Sequence, residues 1–214
     1  HLGFVPVAFL ACSTYLLVQV LLTSILALAT SGEPSLNTAS LTADRLNTPN
    51  SAYSFSGTQE IQYASQPPIE STTNLTVSCW IRTTNTFNDG FHGVVCKATG
   101  SNPWVGFQVG VYQNRVQVEV DLAIFWGTVS INDGQWHSVC VVFDPDKGRL
   151  NVFVDGNPDA TYSTPGTTIA TQFPLNIGVE RQGLNFFTGS VDEIRVYSRV
   201  LSAAEVQQLY HYES

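Results

Sequence analysis

Three segments near the C-terminus decide the fold: NVFVDG (Asn151–Gly156), PLNIG (Pro174–Gly178) and FFTGSVDEIRVYSRVLSAAEVQQLY (Phe186–Tyr210). The first reads as a hairpin strand ending in an Asp-Gly turn, a pair suited to the positive φ angles of tight hairpins. The second is a short strand, and the third opens with a long strand that ends near Tyr197. A helix follows. Ser202 as N-cap with Glu205 three residues on makes a capping box, and Val206 and Leu209 then share the face that would dock on a sheet.

Working outward, the same grammar repeats upstream. Strands are expected over 52–55, 60–64, 75–82, 93–98, 105–112, 115–121, 124–131, 136–143, 150–154, 175–177 and 190–197. Turn chemistry separates them: Asn114, Asn132-Asp133-Gly134, Asp146-Lys147-Gly148 and Asp155-Gly156. Many short strands at this spacing predict an all-β fold: a two-sheet antiparallel jelly-roll sandwich with one short C-terminal helix. Period-two alternation puts Leu75, Val77, Cys79 and Ile81 on one side of their strand, and Thr76, Ser78, Trp80 and Arg82 on the other. Trp80 and Trp136 read as core.

The order of these segments, with GQWHSV (134–139) and TVSCW (76–80), resembles the laminin-G-like domains of the concanavalin A-like lectin/glucanase group, the pentraxins among them. The resemblance spans residues 38–214, and the jelly-roll module itself is expected over 51–214. It implies a non-catalytic binding module for glycans or extracellular proteins, with an accessory domain of a glycanase as a further alternative. Ser31–Asn50 is rich in Ser, Thr, Asn and Pro and reads as a linker running into the domain. Relatives carry an earlier strand and loop before this entrance, where this chain has the apolar run of its first 30 residues, which puts the partner of one sheet edge in question.

The first 30 residues read as a signal peptide or membrane anchor. No Asp, Glu, Lys or Arg occurs from His1 to Gly32, Leu16–Ala29 is a dense apolar run, and Ala27-Leu28-Ala29 fits a small-residue cleavage site. The chain starts with His rather than Met, which reads as a piece of a longer protein. The expected location is secreted or on the extracellular face of the cell, with membrane contact only through this segment if it stays uncleaved. A formal net charge of −8 and the absence of any basic run argue against a nucleic-acid partner.

With export, the cysteines become informative. Pentraxins carry a disulfide between the strands that here hold Cys79 and Cys140, so the resemblance implies that bridge; closing a loop of about 60 residues is worth roughly 4 kcal/mol in the chain-entropy model. Cys96 is then left as a buried thiol.

Catalysis is not expected. Retaining glycanases of this fold need two carboxylates about 5 Å apart, which on one strand means acids at i and i+4. The one candidate run is Glu119-Val120-Asp121-Leu122-Ala123, where Ala123 takes the place of the second acid, so Glu119 and Asp121 read as solvent-facing. No G-x-S-x-G elbow occurs. Asp192 and Glu193, adjacent on a strand, are expected on opposite faces. Calcium is a weak expectation: the pentraxin ligand positions correspond to Ser101-Asn102, Glu180, Gln182 and Thr188, of which Asn102 and Glu180 keep a suitable side chain. Related jelly rolls nominate Asp192 as well. For sugar binding the need is an aromatic platform beside hydrogen-bonding groups. Trp104 and Trp126 lie nearest turns, Tyr112 stands behind them, and Asn102 and Arg115 could supply polar contacts.

Overall fold

The structure is a computed structural model and describes residues 34–64, 74–98, 105–121, 123–164, 172–181 and 183–213. Its strands in chain order are β1 (Leu36–Asn37), β2 (Ser40–Thr42), β3 (Ala52–Ser56), β4 (Ile61–Tyr63), β5 (Leu75–Arg82), β6 (His92–Ala98), β7 (Gly106–Tyr112) and β8 (Arg115–Val120). Then come β9 (Ala123–Ser130), β10 (Trp136–Asp144), β11 (Arg149–Val154), β12 (Asn157–Ser163), β13 (Leu175–Ile177), β14 (Val179–Arg181), β15 (Leu184–Phe186) and β16 (Thr188–Tyr197). Helix α1 (Ala203–Glu213) follows.

Two sheets stack face to face. One has nine strands along the path β1-β4-β13-β6-β7-β8-β9, with the β14–β15 hairpin joined at β6. The other has seven, in the order β12-β11-β10-β5-β16-β3-β2. Nearly all pairs are antiparallel; β15 meets β6 in parallel. The stretch read as a linker supplies β1 and β2, which pair with β4 and β3 and are the outermost strands at one end of each sheet.

Alternation places the core as anticipated. Leu75, Val77, Cys79 and Ile81 face Phe107, Val109, Val116 and Val118 of the other sheet across one apolar layer. Each such fully buried side chain contributes about 1.5–3 kcal/mol of transfer free energy. At one end Phe187 packs between Phe55 (centroids 6.3 Å apart, edge to face) and Phe87 (5.5 Å, stacked).

A second apolar cluster lies outside the seven-stranded sheet, where Cys140, Val142, Phe153 and Tyr197 meet Val206 and Leu209 of α1. The helix starts as its capping box dictates: Glu205 Oε2 accepts from the Ser202 amide at 2.7 Å, and the Ser202 hydroxyl accepts from the Glu205 amide at 3.3 Å.

The strands β9 and β12 end their sheets and lean on one another. Asp159 of β12 accepts from the amides of Thr128 (2.9 Å) and Val129 (3.2 Å), and the Tyr162 hydroxyl donates to the Trp126 carbonyl at 2.7 Å. These side chains satisfy backbone groups that a free edge would offer to another chain. Asp159→Ala should therefore cost about 1–1.5 kcal/mol and raise concentration-dependent light scattering, checked by urea denaturation and scattering on the same samples.

The expected Cys79–Cys140 bridge does not form; both thiols are free and buried. The β5–β10 register sets Cys79 opposite Val139 and Cys140 opposite Ser78. One residue of offset turns a side chain to the other face, so Cys79 enters the main core while Cys140 lies beneath α1. Burial pushes the Cys79 thiol up to about 12 and raises that of Cys140 as well, which makes both poor nucleophiles. Cys96 is also buried, as expected.

Candidate functional site

The outer face of the nine-stranded sheet is polar where an outer face would ordinarily be wet, yet it is largely covered. Alternation along β7 and β8 sends Gln108, Gly110 and Tyr112, and then Arg115, Gln117 and Glu119, to this side. Register aligns them in rows: Asn176, Cys96, Gln108, Glu119 and Ile124 form one, and Gly110, Gln117 and Trp126 the next. Gln108, Gln117 and Glu119 are buried. Part of the cover is visible. The backbone of β14 passes over Gly93, where a Cβ would come within 2.5 Å of Glu180, and the Phe91 ring lies over Gly110, where a Cβ would come within 2.6 Å of it.

At the β9 side this face opens. Trp126 is 39 % exposed, with Ile124 beside it at 45 %. The indole N–H of Trp126 donates to Gln117 Oε1 at 3.0 Å, so the ring is held rather than free to rotate. Tyr112 and Arg115, directly paired across β7 and β8, lie half-buried on the same face. Of the residues nominated for ligand contact, Trp126, Tyr112 and Arg115 are thus on one surface, and Trp104 and Asn102 lie outside the described residues.

Two expectations change here. Glu119 is not solvent-facing: it is 7 % exposed and accepts from Gln117 Nε2 at 2.7 Å and Gln108 Nε2 at 3.0 Å. Asp121 has left the strand for a turn at φ 51°, and Ala123 at the i+4 position faces the core. The buried amides Gln108 and Gln117 were not singled out in the sequence, although their alternation with valines marks them as outward-pointing.

Asp192 lies on the other sheet. A bulge between Asp192 and Arg195 inserts Glu193 at φ 48°, and this places Glu193 beside Asp192 rather than on the opposite face. Asp192 Oδ2 takes Arg45 Nη1 at 3.1 Å, and Arg45 also stacks over the Trp80 ring, 4.9 Å from its centroid. Burial, with help from Glu193 and Asp44, pushes the Asp192 carboxyl up to about 6, against the pull of the Glu193 amide and Arg45. Trp80 is buried as expected, but under α1: it stacks on Tyr210 (centroids 5.6 Å apart) and donates to Glu213 Oε2 at 2.6 Å.

The nominated calcium ligands do not form one site. Asp192 faces outward from the seven-stranded sheet and holds a guanidinium, whereas Glu180 packs over Gly93 of the other sheet with Asn185 donating to it. Asn102 lies outside the described residues. Among the described residues, no group of three His, Cys, Asp or Glu side chains is placed to hold a metal ion. His137 is clamped between Asp155 (2.9 Å) and Asp133 (3.1 Å), and Asp155 also accepts from the Ser138 amide at 2.9 Å. That arrangement ties the β11–β12 turn to β10. The hydrogen bond to Asp155 raises the His137 pKa despite partial burial.

Comparison with known proteins agrees with this architecture. Residues 55–207 match the profile of the concanavalin A-like lectin/glucanases superfamily, in its laminin-G branch. The adhesion G-protein coupled receptor V1 of Danio rerio is 27 % identical over 153 residues, which is 64 % of this chain and 2 % of the receptor. Among solved structures, the heptameric SAP-like pentraxin of Limulus polyphemus superposes with TM-score 0.59 at 20 % identity, covering 73 % of this chain and 80 % of that one. The binding domain of Paraclostridial Mosquitocidal Protein 1 gives 0.66 at 13 % identity, with 85 % and 47 % covered. The botulinum neurotoxin DC binding domain, solved in complex with rat synaptotagmin II, gives 0.63 at 10 %, with 83 % and 46 % covered. At these identities the structural matches speak for the fold alone. Strand order, capped terminal helix and sequence profile together place the chain in the concanavalin A-like lectin/glucanase superfamily, as a laminin-G-like domain.

Proposed function

We propose that the domain is a non-catalytic extracellular binding module that recognises carbohydrate on the outer face of its nine-stranded sheet. The observation that supports this most is Trp126: an indole fixed through its N–H to Gln117 while 39 % of the residue stays exposed, with Tyr112 and Arg115 on the same face. A rigid aromatic platform flanked by hydrogen-bonding groups is what stacking of a pyranose ring requires. Secretion or display at the cell surface fits a laminin-G-like domain and the adhesion receptor it resembles.

A glycan array selects the ligand, and calorimetry then compares wild type with Trp126→Ala. We expect at least tenfold weaker binding with little change in Tm, since the ring is partly exposed. Equal affinity in the two proteins would refute the assignment of the platform.

A second reading is a protein–protein adhesion module. It is favoured by Ile124 (45 % exposed), which lies two residues from Trp126 on the same face of the edge strand and extends its apolar surface. Ile124→Ser separates the two: it would weaken docking of a protein partner and leave sugar stacking within about twofold.

A further inference from the structure

The hydrogen bonds beneath Trp126 run in one direction, and a single residue sets it. Glu119 accepts from Gln117 Nε2 and from Gln108 Nε2. With both carboxylate oxygens used as acceptors, both amides turn their NH2 groups towards it. Each amide oxygen then points away from Glu119. The oxygen of Gln117 meets the indole N–H of Trp126 at 3.0 Å. The oxygen of Gln108 is buried and takes no hydrogen bond. An orphan acceptor is unfavourable, and a carboxylate that demands a donor accounts for the orientation that leaves it so. Were the Gln117 amide reversed, its NH2 would face the indole N–H, donor against donor, and the ring would lose its tether.

We propose that Glu119 is the positioning residue of the Trp126 platform, acting through Gln117, and that the ligand is a pyranoside that meets Trp126 through the ring face and not through the indole N–H. The ligand half rests on the carbohydrate reading above; the relay does not. With its one N–H already engaged, the indole has no donor left for a ligand hydroxyl, and what remains is a π-face suited to the C–H face of a sugar.

The test uses the ¹⁵N-labelled domain, whose four Trp residues give four indole N–H signals; Trp126→Phe assigns the relevant one. In Glu119→Gln the Trp126 signal should shift and exchange with solvent at least tenfold faster, while the other three stay in place and report an intact fold. Combining Glu119→Gln with Gln117→Glu puts an acceptor-only group directly against the indole and should restore protection. This exchanged pair also decides the matter if the single variant folds poorly. An unchanged Trp126 signal in Glu119→Gln, or no protection in the exchanged pair, overturns the relay. For the ligand, an oligosaccharide from the array should bind at least tenfold more weakly to Glu119→Gln than to wild type. Equal affinity of Glu119→Gln and wild type for that sugar overturns the stacking assignment. A relay that responds as described in a domain that binds no sugar leaves the positioning role standing and refutes the carbohydrate reading.

Discussion

Glu213→Ala should lower the unfolding free energy of this domain by about 3–4 kcal/mol, measured by urea denaturation with a separate probe of helix content. The residue closes α1, and its side chain is 1 % exposed. A carboxylate at a helix C-terminus opposes the helix dipole, so its presence there calls for compensation. Three groups supply it. Arg195 pairs with the carboxylate, Trp80 donates to it, and Arg45 donates to the Glu213 carbonyl, one of the backbone acceptors a helix end leaves open. Removing the carboxylate leaves Arg195 and the Trp80 N–H buried with a partner gone. The loss should appear as undocking of α1 from the cluster of Cys140, Val142, Phe153 and Tyr197. A cost below about 1 kcal/mol, the range of an exposed ion pair, would contradict this account of the helix anchor.

The second large effect is on pH. Asp192 titrates near 6 in the folded domain against an ordinary value of 3.8. A group whose folded pKa lies above its unfolded one stabilises fully below the unfolded value and loses that contribution as pH rises through the folded value. The stretch from pH 4 to pH 7 should therefore show falling stability, by about 2 kcal/mol once partial solvent screening is allowed for. His137, also raised, extends the fall above its ordinary 6.5, as its bonds to Asp155 and Asp133 lose the imidazolium. Two carboxylates act in the opposite sense at lower pH. Asp89 is held low by the His92 side chain and Asp133 chiefly by the Gln135 amide, so both contribute as pH rises towards their ordinary value of 3.8. Thermal denaturation across pH 4–8 should place the optimum on the acid side of neutrality. Asp192→Asn should flatten the slope between pH 4 and 6; an unchanged slope would contradict the assignment.

What could be read from the sequence was whatever repeats with period two or obeys turn and cap chemistry. β5 and β13 match their expected bounds, and Ser202 and Glu205 cap α1 as foreseen. β12 was not seen, because Asn157-Pro158-Asp159-Ala160 has no apolar alternation and its pairing depends on β11 and on Asp159 reaching β9. Quantities set by distant partners were equally hidden. A one-residue register offset separates Cys79 from Cys140, and a bulge turns Glu193 to the side of Asp192. The site was half legible. Trp126, Tyr112 and Arg115 could be nominated by residue type, but alternation along β8 says only that Glu119 points outward, and its burial depends on neighbours such as Gln108 of β7.

The most direct measurement is amide and indole chemical-shift mapping of the ¹⁵N-labelled domain during titration with the oligosaccharide that the array selects. Perturbations should centre on the indole of Trp126 and the side-chain amide of Gln117, extend to Tyr112 and Arg115, and spare Trp80 beneath α1. Shifts that gather around α1 and the seven-stranded sheet, with Trp126 unmoved at saturation, would contradict a glycan surface on the outer face of β7, β8 and β9.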